Sequence, residues 1–362
     1  MKRWIWWGVV TGCGASALFA GNGAWNVDSD GAWSNSANWV GSAVASGSGS
    51  TSYFTNYVTA RRTVTIDQPV TVEALRFRSP TNNNWRLIGD GPITLEGVAK
   101  PRLGSSVNQK VEIFTPLVGT NGFIQENLPG DIELSGNNSR VLGLGDLRAN
   151  TVVQTMSKTA DDASSLARNY FPTSGVIMSG ARLELLGRKN GSAASSPWVL
   201  TVGSPAVQST SSSATSSLAP GQTVSGTGLP AGTFIRQILD GSNLVLSAAA
   251  DQSVTSTLAF AAASFRSEQL LQRVRTDGAQ TFRVSKNGGS SFTVAVERVY
   301  GTANWALKDG DGVVTIPGQR EHRGSIQLHS VDLTLAPKSV SRQPAPNAAF
   351  HVDASLAGSL TV

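Results

Sequence analysis

Alternating acids offer the first chance of chemistry in this chain. Asn26, Asp28 and Asp30 run up to Gly31 with the spacing that opens a calcium loop. Such a loop closes on a carboxylate at its last position, where Ala37 stands, so the segment reads as an Asp-rich turn and not a metal site. Asp309-Gly310-Asp311-Gly312 is a second acidic turn of the same kind. The histidines, His322, His329 and His351, fall in separate strands or loops. No Gly-x-Ser-x-Gly context accompanies them, and each reads as exposed surface. Glu133, Glu184 and the pair Asp161-Asp162 could serve a glycosidase or lyase only if folding held two carboxyls at a fixed separation. Nothing in their spacing demands it. The expectation is no catalytic residue, no metal ligand, no cofactor and no enzyme activity.

Aromatic residues offer a different chemistry. Trp25, Trp33 and Trp39, with Trp85 further on, could stack on sugar rings as a binding platform. More often, an N-terminal aromatic group plugs the open end of a stacked fold, whose first turn would otherwise expose its core. The plug is the preferred reading.

The elements that must position these residues are short strands. Thr63 to Asp67, Val70 to Phe77, Trp85 to Gly89 and Ile93 to Leu95 alternate apolar and polar residues with period two. Pro80 to Asn84 and Gly89-Asp90-Gly91-Pro92 break them as turns. The pattern recurs at Val111 to Phe114, Asp131 to Gly136, Val176 to Met178, Arg182 to Gly187 and Trp198 to Val202. DIELSGNNS and ARLELLGRKNG share one formula, a strand followed by Gly and then Asn. Near-repeats of this sort bury a core only by stacking, with Gly and Asn turning the corners. The expected fold is all-β, a right-handed parallel β-helix or solenoid. A β-sandwich is the competitor, but tight hairpin signals between adjacent strands are few.

Residues 21–202 are read as solenoid with a Trp-rich N-terminal cap. Residues 203–263 differ, being rich in Ser, Thr, Ala and Gly and almost free of charge. They are expected to form a small inserted β module. Residues 264–362 are expected to continue the solenoid. Ser264 to Arg275 is the best helix candidate, with Ser264 as cap and Phe265, Leu271 and Val274 on one face. Ala160 to Arg168 is a weaker one.

Composition narrows the function classes. Only 15% of residues are charged while Gly numbers 38, which suits many strands joined by turns and not a charged disordered chain. The net charge of +5 comes from scattered Arg and Lys, without the clustered basic face that nucleic acid requires. Lys2 and Arg3, the apolar run Trp4 to Val10 and the small residues to Ala20 form an export signal, with cleavage after Ala20. Gly8, Thr11, Gly12 and Gly14 make it a poor membrane span. Val10-Thr11-Gly12-Cys13 also resembles a bacterial lipobox, but the chain stays apolar after it, so ordinary cleavage is favoured. Cys13 is the one cysteine, so no internal disulfide can form.

Several of these motifs together point to a family. The opening W…DGxW…NW, then Tyr53-Phe54, TVTID, VTVEALRF, WRLIGDGPITL and DIELSGNNS, resembles exported bacterial proteins with autotransporter-associated β-strand repeats. The segment GQTVSGTGLPAGTFI resembles a small β module embedded in such proteins. The resemblance covers about residues 21–140 and the insert, and thins after Ala263. It implies a passenger-type β-helix at the cell surface or outside the cell. Its partners would be envelope or extracellular surface components, polysaccharide among them, with no nucleic acid and no membrane span after signal removal. The family's C-terminal translocator barrel is not expected within these residues, so the expectation is that another surface-attachment route exists, that the chain is released, or that it is the N-terminal part of something longer. The primary expectation is a structural or adhesin-like protein. The alternative is a polysaccharide-binding or polysaccharide-degrading β-helix.

Overall fold

The computed structural model describes residues 21–361 apart from 82, 107–109, 149, 279, 302, 304, 309, 317–318, 323–325, 330–331, 336–349 and 353–359. The export signal, Cys13, Asp309 and the Pro-rich stretch Ser341 to Asn347 lie outside the described residues.

The fold is all-β. Two long parallel sheets, of ten and eleven strands, run the length of the described chain. Along a third side lie a three-stranded and then a six-stranded parallel sheet. The chain visits these sides in rotation. Val70–Val72 lies on the third side, Ala74–Phe77 in the ten-stranded sheet, and Trp85–Ile88 in the eleven-stranded one. Ile93–Leu95, Arg102–Ser105 and Val111–Ile113 then repeat the circuit, each strand pairing in parallel with its predecessor. Backbone groups that a lone strand would leave unpaired are thereby satisfied by the next circuit.

Register turns period-two patterning into ladders. In the eleven-stranded sheet Val64, Leu87, Ile113 and Leu134 stack in line and are buried. They belong to one apolar core that runs from Trp25 to Val314. The alternate positions face outward and form the line Thr63, Arg86, Glu112, Glu133, Val153, Glu184, Arg283. Left-handed corners use the expected residue types, though not Gly136, Asn137, Asn138, Gly187 or Asn190 of the two matched segments. Asn150, Asn169 and Asn287 hold left-handed backbone at φ of 51°, 53° and 52°. Gly175 has φ of 103°, and a Cβ there would lie 1.8 Å from the Arg273 carbonyl oxygen, so only glycine fits.

Both helix expectations are corrected by the structure. Ser264 to Arg275 is not a helix: Arg266–Leu271 and Val274–Thr276 are strands. The inward positions of the first strand include Ser267 and Gln269, both buried. Ser267 Oγ accepts from the Arg188 amide at 2.9 Å, and Gln269 Oε1 accepts from the Phe171 amide at 2.9 Å. Polar residues inside the core break the apolar alternation by which a strand is recognised. Ala160 to Arg168 contains no helix either, only turns and the strand Leu166–Arg168.

The inserted module begins earlier than residue 203. Ala194–Leu200 pairs antiparallel with Val254–Phe260 over its whole length. The strand Trp198 to Val202, read as solenoid, therefore belongs to the module. Six antiparallel strands form a nearly closed barrel. Its end strands, Val224–Ser225 and Ile235–Ile238, meet through a Thr223–Phe234 bridge. It has its own core, with Trp198, Leu244, Leu258 and Phe260 at its centre. At the stem, Gly191 and Ala263 exchange backbone hydrogen bonds of 2.9 and 2.8 Å. The parallel sheet continues across the gap, since Arg182–Leu186 pairs directly with Thr281–Ser285.

This geometry gives a deletion experiment. Removing residues 192–262 and joining Gly191 to Ala263 through a short Gly-Ser linker should leave the parallel sheets folded. The two ends already touch, and loop closure of this kind costs little. Circular dichroism should retain its β signal, and limited proteolysis should yield one resistant body. Loss of the β signal, or cleavage throughout, would mean that the module is integral to the main core.

Candidate functional site

The acids singled out for metal binding have structural partners. Asp28 receives Arg62 Nε at 2.6 Å, Thr59 Oγ1 at 2.8 Å and the Thr59 amide at 3.1 Å. The hydrogen bonds from Arg62 and Thr59 hold its carboxyl down to about 2. Asp30 accepts from the Thr63 amide at 2.7 Å, and Asp67 from the Ser34 amide at 3.1 Å. These carboxylates tie one circuit to the next. Asp311 does the same, accepting from Ser285 Oγ at 2.7 Å and the Lys286 amide at 2.8 Å. Among the described residues no three His, Cys, Asp or Glu converge as metal ligands. The side chains of His322, His329 and His351 lie outside the described residues.

The tryptophans are interior. Trp25, Trp33 and Trp39 are 1%, 0% and 2% exposed. Their rings meet edge to face, Trp33 to Trp39 at 4.9 Å and Trp25 to Trp39 at 5.3 Å between centroids. Trp33 Nε1 donates to the Ala45 carbonyl at 3.1 Å, and Trp39 Nε1 to the Trp33 carbonyl at 2.8 Å. No ring face is open to a sugar, so these three residues do not form a stacking platform.

A different group of residues does converge. The outward ladder of the eleven-stranded sheet places Glu112 directly beside Glu133 on neighbouring strands. Two adjacent carboxylates repel, and both are buried. Cations answer them. Lys158 Nζ lies 2.7 Å from Glu112 and 3.0 Å from Glu133, bridging the two. Arg86 reaches Glu112 at 2.8 Å and Lys110 reaches Glu133 at 2.5 Å. Arg86 and Lys158 also sit 5.2 and 5.4 Å from the Phe114 ring centroid, a cation–π arrangement. Burial alone would raise both glutamate pKa values. Lys158 with Arg86 at Glu112, and Lys158 with Lys110 at Glu133, outweigh it and hold both carboxyls below their ordinary range.

The module fixes Lys158 from the other side. The Lys158 carbonyl accepts from the Ile238 amide at 3.0 Å, and the Ala160 amide donates to the Arg236 carbonyl at 2.8 Å. Thr159 bridges antiparallel to Gln237. The module is thus docked by backbone pairing, and Arg236 adds an ion pair to Asp90 at 2.8 Å. Between sheet and module lies a cleft of about 530 Å³. Its floor holds Arg61, Arg86, Lys110, Glu112, Glu133 and Lys158. Its walls include Lys189, Ser157 and Asn287 from the main body and Thr215, Ile238 and Asp240 from the module.

Of the acidic residues here only Glu133 stood out in the sequence, and without a partner. A usable signal exists. Val111-Glu112-Ile113 and Ile132-Glu133-Leu134 carry Glu at the same outward position of equivalent strands. Once the strands are stacked, the two must be neighbours. Nothing local in Lys158 or Lys189 announces that a distant module covers them.

No family model, curated protein or solved structure matches this chain.

Proposed function

We propose that this chain is an exported, cell-surface β-helix protein of structural or adhesin-like kind, similar to passengers with autotransporter-associated β-strand repeats. The supporting observation is the rotation of strands through parallel sheets in continuous register. Parallel strands joined by crossovers are almost always right-handed. Equivalent outward residues then align in ladders, and the molecule presents extended faces along its length. Such faces suit adhesion or a place in the envelope. In this reading residues 1–20 direct export, and no helix among the described residues is long and apolar enough to cross a membrane.

The test is to express the full chain in a bacterial host, fractionate the cells and treat intact cells with protease. The chain should be recovered outside the cytoplasm with its first 20 residues removed, and be cleavable on intact cells or released. Retention in the cytoplasm with the N-terminus intact would refute the reading.

The cleft favours a second, compatible reading, polysaccharide binding on the flank of the β-helix. Degradation by a carboxyl pair needs a protonated acid. Glu112 and Glu133 are both held in the ionised state by their cations, so binding is the better account of this cluster.

A further inference from the structure

We propose that the cleft between the eleven-stranded sheet and the inserted module is a binding site for an acidic saccharide, recognised through a sugar carboxylate. The inference rests on the reading that this flank binds polysaccharide, and it names the site and the ligand class.

Charge carries the first part of the argument. Five basic side chains line the cleft, Arg61, Arg86, Lys110, Lys158 and Lys189, against three acidic ones, Glu112, Glu133 and Asp240. The two glutamates are matched by Arg86, Lys110 and Lys158. Asp240 folds back onto its own turn, accepting from the Ser242 and Asn243 amides at 2.9 Å each. Two cations are left with little answer. Arg61 approaches Glu112 no closer than 3.7 Å, on the oxygen that Arg86 already holds. Among the described residues Lys189 has a hydrogen bond to the Ser216 carbonyl at 2.9 Å and no carboxylate partner. Burial alone lowers its pKa, with no acid to offset it. A half-buried ammonium without a counter-charge is stabilised when an anion enters.

Neutral groups carry the second part. Around Lys189 the walls offer Ser216 and Asn287, with Leu186 and Ile238 supplying apolar surface. Ser157 Oγ receives Asn287 Nδ2 at 2.8 Å and the Lys189 amide at 3.0 Å and donates to the Gly187 carbonyl at 2.7 Å, so it is fully used in holding Asn287 and Lys189 in place. A hydroxyl, an amide and short aliphatic patches suit a ligand with hydroxyls and apolar ring faces. The volume of about 530 Å³ is far more than a lone ion needs and falls in the range of organic ligands. An acidic sugar unit satisfies both requirements.

The experiment titrates the purified full-length mature chain with trigalacturonate, with the neutral galactose trisaccharide and with inorganic sulfate, by calorimetry. The acidic trisaccharide should bind, and bind at least about tenfold more tightly than either control, as a charge-assisted contact provides. Its affinity should fall as salt rises. Lys189→Met should weaken it by about tenfold or more, and Arg61→Gln should weaken it less, with both variants melting like the wild type. Should Lys189→Met not fold, Arg61→Gln and the salt dependence still test the site. Equal binding of acidic and neutral trisaccharides would overturn the ligand class while leaving polysaccharide binding standing. Equal binding of sulfate would reduce the cleft to a simple anion site and also overturn the proposal. Binding of no saccharide at all would overturn both the proposal and the reading on which it rests.

Discussion

Replacing Lys158 with Ala is expected to destabilise the fold by about 2–3 kcal/mol, less than the loss of a whole buried pair, because its own side chain is 32% exposed and each glutamate keeps a second cation. The side chain is the bridge between Glu112 and Glu133, whose own side chains are 8% and 3% exposed. Without it Glu112 keeps Arg86 and Glu133 keeps Lys110, but the two adjacent carboxylates lose the cation they share. Burial and mutual repulsion then both act against ionisation. Urea denaturation of wild type and variant at neutral pH gives the difference directly. The double variant Lys158→Ala with Glu133→Gln should recover much of the loss, because it removes the repulsion along with the cation. A loss below about 1 kcal/mol in the single variant would show that Lys158 is a surface-type pair of little worth.

Acidification separates this network from ordinary packing. In the folded protein both glutamates titrate below their ordinary value of 4.5. A depressed carboxyl contributes stability that is fully present above the unfolded pKa and is lost as pH falls through the folded one. Wild-type stability should therefore hold at neutral pH and decline below about pH 4.5. In Lys158→Ala the glutamates are less depressed, so the same acidification costs less. The gap between the two proteins should narrow on going from pH 7 to pH 4, and a gap independent of pH would mean that Lys158 acts through packing of its stem alone.

How far the sequence revealed this arrangement depends on whether the information was local. Trp85–Ile88 and Ile132–Leu134 were legible because their alternation and flanking turns are contained in a few residues, whereas Val70 to Phe77, read as one strand, is two, Val70–Val72 and Ala74–Phe77, in different sheets. That Asn turns corners followed from residue type and the left-handed conformation it tolerates, but which ones do so, such as Asn150 and Asn287, did not. Ala194–Leu200 alternates in the same way, yet whether its partner is parallel or antiparallel is decided by Val254–Phe260, on the far side of the module. Alternation alone cannot choose between them. Arg266–Leu271 was hidden because Ser267 and Gln269 satisfy their polar groups inside the core. The charged cleft was least legible of all. Its floor comes from five circuits of the chain and its roof from the module, and no short window contains more than a fragment of it.

Replacing Trp33 with Ala is expected to cost about 3–5 kcal/mol, as large aromatic truncations in cores do. The ring is fully buried and packs on Trp39 and on Phe54, at 4.9 and 6.0 Å between centroids. Phe54 in turn stacks on Phe77 at 4.8 Å with the planes 9° apart. The aromatic group is thus continuous with the apolar core of the parallel sheets and stands at its N-terminal start. Truncation would leave a cavity where relaxation is limited by Trp39 and by the strand pairing of Gly31–Ala32 with Arg62–Thr65. It would also strip the Ala45 carbonyl of its indole partner. Trp33→Phe keeps most of the volume and loses only that hydrogen bond, so it should cost markedly less. Urea midpoints for the three proteins would rank wild type, then Phe, then Ala. If Ala and wild type unfolded together, the ring could not be part of the core, and a role for Trp33 at an exposed ligand surface would have to be reopened.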